Sequence, residues 1–441
     1  MESNDQSLLA STCTSPLRGS IRVPGDKSIS HRAIMLAAIA KGQTSVSGFL
    51  EGADAISTMN ACRALGVRIE GPNKGHVLVH GLGRHGLSAA DHDLDCGNAG
   101  TAMRLMMGLL AGQSFSSTLI GDESLSKRPM RRVADPLGLM GAQIVTNDGK
   151  PPVRIVASPG LNGIDFSMPI ASAQVKSALL LAGLYAQGHT RITEPAPTRD
   201  HTERMLGGFG VKVEIEGASR SLKGGQTLHG CEIDVPADIS SAAFFLVAAS
   251  IVPGSDLILE HVGMNLTRIG VVDILRLMGA DIEVINPRVV GGEPVADLRV
   301  RSSQLRGIEV PTSMVPLAID EFPVLFVAAC FAQGQTIVRG AEELRVKESD
   351  RIAAMETGLL ACGAQVRATA DGMVIEGQPD ASLKGCTIQS QGDHRIAMAF
   401  AVAGQRSSGV ITILNTSNVA TSFPGFVGLA KVCGMQVEQQ A

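Results

Sequence analysis

The groups in this chain best suited to chemistry are short runs of cations set beside Gly, Ser, Asn or Asp. They read Asp26-Lys27-Ser28 with Arg32, Asn98-Ala-Gly100-Thr101 with Arg104, Ser126-Lys127-Arg128 with Arg131 and Arg132, and Ser172-Ala173-Gln174. Further on come Thr198-Arg199-Asp200-His201, Arg345-Val-Lys347-Glu348-Ser-Asp350-Arg351 and Gly392-Asp393-His394-Arg395. Small and capping residues at a helix entry leave backbone N–H groups and the positive end of the helix dipole available to an anion. Lys and Arg beside them complete a holder for a small polyanion. A single charge run is ordinarily a solvated helix face. Here several such runs recur at equivalent places in a chain whose formal net charge is -4, and that combination favours ligand binding.

The same charge excludes a nucleic-acid binder that works by bulk attraction, for which a pI above about 9 is usual. The eight cysteines are never closer than 24 residues, so no C-x-x-C zinc or redox signature exists. Reduced thiols in a cytoplasmic protein are expected. No histidine pair has metal-ligand spacing on one helix, and neither a metal nor a cofactor is expected. Gly81-Leu-Gly83-Arg-His-Gly86 fits the dinucleotide fingerprint in letters, but no amphipathic helix follows it. Asp91-His-Asp93-Leu-Asp95 resembles a calcium loop, yet Cys96 takes the place that needs Gly. The longest uncharged apolar run, Ala242 to Val252, has 11 residues, below the roughly 18 that suggest a membrane span. The polar stretch Met1 to Ser15 has no targeting pattern. No membrane partner is expected, and the chain is expected to act as a monomer.

The elements that position these groups follow from a repeat. Six times an apolar helix ends in Gly and an alternating strand follows: Gly66-Val-Arg-Ile, Gly141-Ala-Gln-Ile, Gly210-Val-Lys-Val, Gly279-Ala-Asp-Ile, Gly363-Ala-Gln-Val and Gly434-Met-Gln-Val. The separations are 75, 69, 69, 84 and 71 residues. Gly there fits a helix C-cap with left-handed backbone. A second apolar helix, a small-residue turn and a β-branched strand precede each, so the unit reads βαβαββ. Gly, at 50 residues, is about 11% of the chain against an average of about 7%, in keeping with so many reversals. The sixth copy stops short of its last strands, while Ser7 to Thr12 and Gly19 to Pro24 supply spare ones at the other terminus. Two globular domains of three units each are therefore expected: residues 1–25 with 236–441, and residues 26–235. Units of this size that close on themselves are unlike end-to-end helical solenoid repeats. The cleft between such domains is the expected ligand site.

Five ordered motifs, Arg22-Val-Pro-Gly-Asp-Lys27-Ser28-Ile-Ser-His-Arg32, Gly97-Asn98-Ala-Gly100-Thr101-Ala-Met-Arg104, Ser172-Ala173-Gln174-Val-Lys-Ser, Leu344-Arg-Val-Lys347-Glu348-Ser-Asp-Arg351 and Gly392-Asp-His-Arg395, closely resemble the EPSP synthases of the enolpyruvyl transferase family. The resemblance implies an α/β fold of two inside-out barrel-like domains, each of three βαβαββ units. It implies transfer of the enolpyruvyl group of phosphoenolpyruvate to the 5-hydroxyl of shikimate-3-phosphate, in the shikimate pathway to aromatic amino acids. By the same likeness Lys27, Ser28, Arg32, Ser172, Ala173, Gln174, Arg199, Asp320 and Lys347 would bind shikimate-3-phosphate. Lys27, Gly100, Arg128, Gln174, Arg351 and Arg395 would surround phosphoenolpyruvate. Asp320 would be the base toward the 5-hydroxyl, Glu348 would exchange a proton at the methylene carbon, and Lys27 would assist.

Departures are local. Many relatives carry Lys just before a Phe-Pro pair where this chain has Ala420-Thr421-Ser422-Phe423-Pro424, and Thr198-Arg199 replaces a Tyr-containing stretch. The resemblance also implies binding of the inhibitor glyphosate, with Gly100→Ala expected to weaken it. A related transferase that uses UDP-N-acetylglucosamine has Lys-Asn where this chain has Lys27-Ser28, and a loop cysteine that Gly121 to Pro136 lacks. A repeat protein that binds phosphorylated ligands without turnover is the non-enzyme alternative. Cations on both faces of an empty cleft would repel, so closure on anionic ligands is expected.

Overall fold

The repeat dictates two helices per unit, and the helices fall accordingly. The computed structural model describes residues 6–380 and 382–440. Residues 1–5, 381 and 441 of the expected domains lie outside the described residues. In the first three units the helix pairs are α1 (Lys27–Ala38) and α2 (Ala53–Ala64), α3 (Gly100–Leu110) and α4 (Arg131–Leu139), α5 (Ala173–Gly183) and α6 (His201–Gly208). In the last three they are α7 (Ile239–Ile251) and α8 (Gly270–Leu277), α9 (Phe322–Cys330) and α10 (Arg351–Ala361), then α11 (His394–Ala403), the single turn α12 (Val419–Ser422) and α13 (Phe426–Val432). The first helix of each pair is buried on nearly all sides, and every residue of α7 and α9 is buried. Such helices belong in a core and not on a surface. Their Ala and Gly residues permit close approach, and Gly108 of α3 lies against the Ala178 backbone of α5, where a Cβ would come within 2.1 Å of a carbonyl oxygen.

The strands alternate instead. Lys150–Ile155 buries every second residue, as expected for a sheet with one face on the core. Among the described residues, the five four-stranded sheets are ordered alike. In the first unit Lys41–Ser47 runs antiparallel to His76–Leu82, which pairs with Arg68–Asn73, and a parallel strand, Glu232–Asp234, lies on the other edge of Lys41–Ser47. The six glycines that close the second helices all have left-handed backbone, with φ between +80° and +102°, so L side chains there would be strained.

The chain divides into two compact units. One comprises Met1–Pro24, Pro236–Arg288 and Pro294–Ala441; the other comprises Gly25–Val235 with Val289–Glu293. In the first, Ser7–Ser11 lies between Ile411–Leu414 and Gln436–Gln440, supplying the strand that the last repeat lacks. The lead-in strands are exchanged. Arg18–Ile21 precedes α1 but pairs with Asp256–Gly263, whereas Glu232–Asp234 precedes α7 but pairs with Lys41–Ser47. The chain thus passes from one unit to the other between a lead-in strand and its following helix. Residues 289–293, the tip of the long hairpin Asp281–Val290 and Glu293–Arg301, group with the second unit. His201 Nδ1 lies 2.8 Å from Glu293 Oε1 there. Among the described residues no helix is long and apolar enough to cross a membrane, and no group of three His, Cys, Asp or Glu is placed to hold a metal ion.

Candidate active site

In the unit built around α1, α3 and α5, capping places the cations. Asp26 caps α1 by accepting from the Ile29 N–H at 2.9 Å, which sets Lys27 and Ser28 in the first turn. Lys27 forms an ion pair with Asp54, in the first turn of α2. One turn later Arg32 is buried, donating from Nε to Thr202 Oγ1 at 2.7 Å, from Nη2 to Ser177 Oγ at 2.9 Å and from Nη1 to the Ser28 carbonyl at 2.9 Å. Ser172 caps α5, its hydroxyl accepting from the Val175 N–H at 3.4 Å, and presents Ala173 and Gln174 in the first turn.

Gln174 joins that group to the entry of α3. Its amide donates to Thr101 Oγ1 at 2.8 Å, and its carbonyl oxygen accepts from Arg104 Nη1. Arg104 also donates to the Pro129 carbonyl at 3.0 Å, fixing the loop that carries Arg128. Arg128 donates to Asn98 Oδ1 at 2.7 Å. Gly100 opens α3 directly beneath it: a Cβ there would lie 2.9 Å from Arg128 Nη1. The room that Gly100 leaves is therefore occupied by a guanidinium. Arg199 is half-buried, immediately before Asp200 at the entry of α6.

The second cluster belongs to the unit built around α7, α9 and α11. Arg351, at the start of α10, is 1% exposed and meets three carboxylates. Its Nε donates to Asp393 Oδ2 at 2.9 Å, Nη1 to Asp320 Oδ1 at 3.2 Å and Nη2 to Glu348 Oε2 at 2.5 Å. Burial alone works to discharge Arg351, but Asp393, Glu348 and Asp320 outweigh it and hold the guanidinium firmly protonated. Burial likewise works to raise the Asp393 carboxyl, and the charge of Arg351 overcomes it, leaving Asp393 below its usual range. Asp393 also accepts from Ser349 Oγ at 3.0 Å and from the Arg395 N–H at 2.9 Å, capping α11. Lys347 Nζ lies 3.6 Å from Asp320 Oδ1 and 3.1 Å from Glu343 Oε1. Arg395 donates to the Asp320 carbonyl at 3.0 Å. Asp320 and Glu348 thus share one buried cation.

The residues expected from the sequence fall into these two groups. Lys27, Ser28, Arg32, Gly100, Arg128, Ser172, Ala173, Gln174 and Arg199 belong to one unit; Asp320, Lys347, Glu348, Arg351 and Arg395 belong to the other. Thr421, at the position where many relatives have Lys nearby, donates back to the Asn418 carbonyl at 2.7 Å, and Asn418 Nδ2 donates to the Gly392 carbonyl at 2.6 Å. Sequence reasoning did not assign roles to Arg104, Ser177, Thr202 or Asp393. Arg104, Ser177 and Asp393 stand inside the sequence motifs and Thr202 outside them, but Ser177 and Thr202 matter only because α5 and α6 bring them together.

Fold and site together define a six-repeat, two-unit α/β protein with cations at the helix entries of both units and, in one of them, carboxylates paired on a buried guanidinium. The model of the EPSP synthase (3-phosphoshikimate 1-carboxyvinyltransferase) family matches residues 12–429. A 3-phosphoshikimate 1-carboxyvinyltransferase of Alkalilimnicola ehrlichii is 64% identical over 420 residues, covering 95% of this chain and 94% of its own. One from Methylococcus capsulatus is 59% identical over 423 residues, covering 96% of each. The solved structure of an EPSP synthase from Acinetobacter baumannii superposes with a TM-score of 0.90 at 54% identity, covering 99% of this chain and 100% of that one. The chain belongs to the EPSP synthase family.

Proposed function

We infer that this chain transfers the enolpyruvyl group of phosphoenolpyruvate to the 5-hydroxyl of shikimate-3-phosphate, giving 5-enolpyruvylshikimate-3-phosphate and phosphate. The observation that carries the assignment of roles is the pairing of Asp320 and Glu348 on one buried guanidinium, Arg351, in a chain that also clusters Arg32, Gln174 and Arg128 at helix entries. We propose that Ser28, Arg32, Ser172, Ala173, Gln174 and Arg199 hold shikimate-3-phosphate, with Asp320 and Lys347 at its hydroxyls. Lys27, Gly100, Arg128, Gln174, Arg351 and Arg395 surround phosphoenolpyruvate, and both sets act on one pair of substrates.

The chemistry needs a proton added at the methylene carbon of phosphoenolpyruvate and one removed from the 5-hydroxyl as oxygen attacks the adjacent carbon. Phosphate then leaves and the methyl group gives up a proton to restore the double bond. Asp320 takes the hydroxyl proton, while Glu348 delivers and recovers the one on carbon, with Lys27 assisting. Arg351 orients both carboxylates and adds positive charge near the phosphoenolpyruvate anion. The same reading places the enzyme in the cytoplasm, as a monomer that works without a metal or organic cofactor.

Phosphate release tests the reading. It should require phosphoenolpyruvate and shikimate-3-phosphate together, and should not occur when UDP-N-acetylglucosamine replaces the latter. No release with either acceptor would overturn it.

A further inference from the structure

A second set of charges lies on the same elements as the proposed acceptor groups. Lys176, in the first turn of α5, is fully buried, with Nζ 2.8 Å from Glu194 Oε1 and 2.7 Å from Glu203 Oε1. Arg220 closes the cluster, its guanidinium 3.8 Å from Glu194 Oε1 and 3.7 Å from Glu203 Oε1. Two cations therefore balance two carboxylates, with Lys176, Glu194 and Glu203 enclosed and Arg220 partly exposed. An apolar cluster of similar volume commonly stabilises a fold as well as a buried ion pair does, so stability alone does not call for these charges. What charges add is direction: an ammonium between two carboxylates fixes the spacing of the segments that carry them.

Those segments carry the acceptor site. Ser177 follows Lys176 and Thr202 precedes Glu203. The Thr202 hydroxyl donates to Ser177 Oγ at 2.7 Å, and this pair receives Arg32 through Nε and Nη2. On the other side, the Thr198 hydroxyl donates to Glu194 Oε2, closing the turn that leads into Arg199. Gln174 lies two residues before Lys176. One network thus spans α5, the turn at residues 194–199 and the start of α6.

We propose that Lys176, with Glu194, Glu203 and Arg220, is a positioning residue for the acceptor: it sets α5 against α6 and the turn so that Arg32 and Arg199 meet shikimate-3-phosphate. The proposal rests on the reading of Arg32 and Arg199 as acceptor contacts, and it predicts selectivity. Disturbing the network weakens shikimate-3-phosphate and leaves phosphoenolpyruvate, held from α3 and Arg128, nearly untouched.

The test uses the charge-balanced double variant K176M/E203Q, Thr198→Val, Lys176→Arg, and Arg32→Ala and Arg199→Ala as references, with KM for each substrate, kcat and the thermal midpoint measured for all. K176M/E203Q should raise KM for shikimate-3-phosphate by about 10-fold or more and change KM for phosphoenolpyruvate by less than about 3-fold. Thr198→Val, which removes a single hydroxyl bond, should give about 5-fold in the same direction, and it carries the test if the double variant does not fold. Lys176→Arg, which keeps the charge, should recover most of the loss. Unchanged acceptor KM in folded variants would overturn the proposal. So would a parallel rise for both substrates that follows the thermal midpoint, since a merely structural role would behave that way. If Arg32→Ala and Arg199→Ala themselves leave the acceptor KM unchanged, the site reading falls and the proposal with it. If they raise it while the network variants do not, only the positioning role falls.

Discussion

Gly100→Ala adds one methyl group at a place where its consequence can be worked out. The new Cβ would stand 2.9 Å from Arg128 Nη1 and 3.7 Å from Leu125 Cδ1. A comfortable contact is about 3.5 Å or more, so Arg128, the flexible partner, moves by roughly 0.5 Å. That displacement also stretches its 2.7 Å bond to Asn98. A hydrogen bond to a charged group contributes about 1.5–3 kcal/mol. Losing around half of one between Arg128 and a bound phosphate costs about 1 kcal/mol, or about 5-fold in affinity. The expected result is a KM for phosphoenolpyruvate raised about 5-fold or somewhat more, with KM for shikimate-3-phosphate unchanged. Glyphosate inhibition should weaken as well. Steady-state phosphate release at saturating shikimate-3-phosphate measures the first two quantities. A double-mutant cycle sharpens the test: in an Arg128→Ala background the added methyl has no guanidinium to displace, so the Gly100→Ala effect should largely vanish. An unchanged KM for phosphoenolpyruvate, or the full effect persisting without Arg128, would refute the reasoning.

Two further predictions concern buried charges. His31 is wholly enclosed, with Nδ1 2.7 Å from Thr58 Oγ1; burial, aided by Lys27 and Arg32, pushes its pKa down to about 3. The unfolded chain takes up that proton near pH 6.5 and the folded one does not, so stability is full above 6.5 and falls as pH drops toward 3, by about 2 kcal/mol at pH 5. Urea midpoints from pH 8 to 5 should show this slope, and His31→Gln should flatten it; an equal slope in both proteins would count against the account. Asp393→Asn keeps an oxygen to cap α11 but removes the charge that faces Arg351. It should lower kcat/KM for phosphoenolpyruvate by about 2 kcal/mol, roughly 30-fold. It should also abolish the part of acid unfolding that arises because the depressed Asp393 carboxyl stabilises the fold above the ordinary carboxylate range and loses that contribution as pH falls through its folded value. Kinetics at neutral pH and unfolding between pH 5 and 2 check the two limbs separately.

The repeat was readable because its punctuation is local. Six glycines at helix ends need left-handed backbone, and all six have it; buried first helices such as α7 and α9 announce themselves as apolar runs without a polar face. The passage of Arg18–Ile21 and Glu232–Asp234 between the two units follows from the sixth copy stopping short, but the sheet that Arg18–Ile21 joins, that of Asp256–Gly263 and not that of the last repeat, has no such signal. The same holds for residues 289–293, whose grouping with the second unit depends on contacts such as that of Glu293 with His201. Among the site residues, cations at helix entries were legible from type and spacing. Ser177, Thr202 and Glu194 were not, because Ser and Thr in helices and Glu at a strand end are ordinary, and they gain meaning only from the partner that folding brings within about 3 Å. Arg351 was legible as a cation, but not as the shared partner of Asp320, Glu348 and Asp393.

The central claim is that this chain joins phosphoenolpyruvate to shikimate-3-phosphate through the 5-oxygen. Phosphorus NMR on a mixture of the two with enzyme follows it most directly. The account predicts that both substrate signals decline together while inorganic phosphate and a single new phosphorylated product, with the enolpyruvyl group on the 5-oxygen, grow in equal amounts. Substrate signals that persist, phosphate without that product, or turnover with UDP-N-acetylglucosamine in place of shikimate-3-phosphate would contradict it.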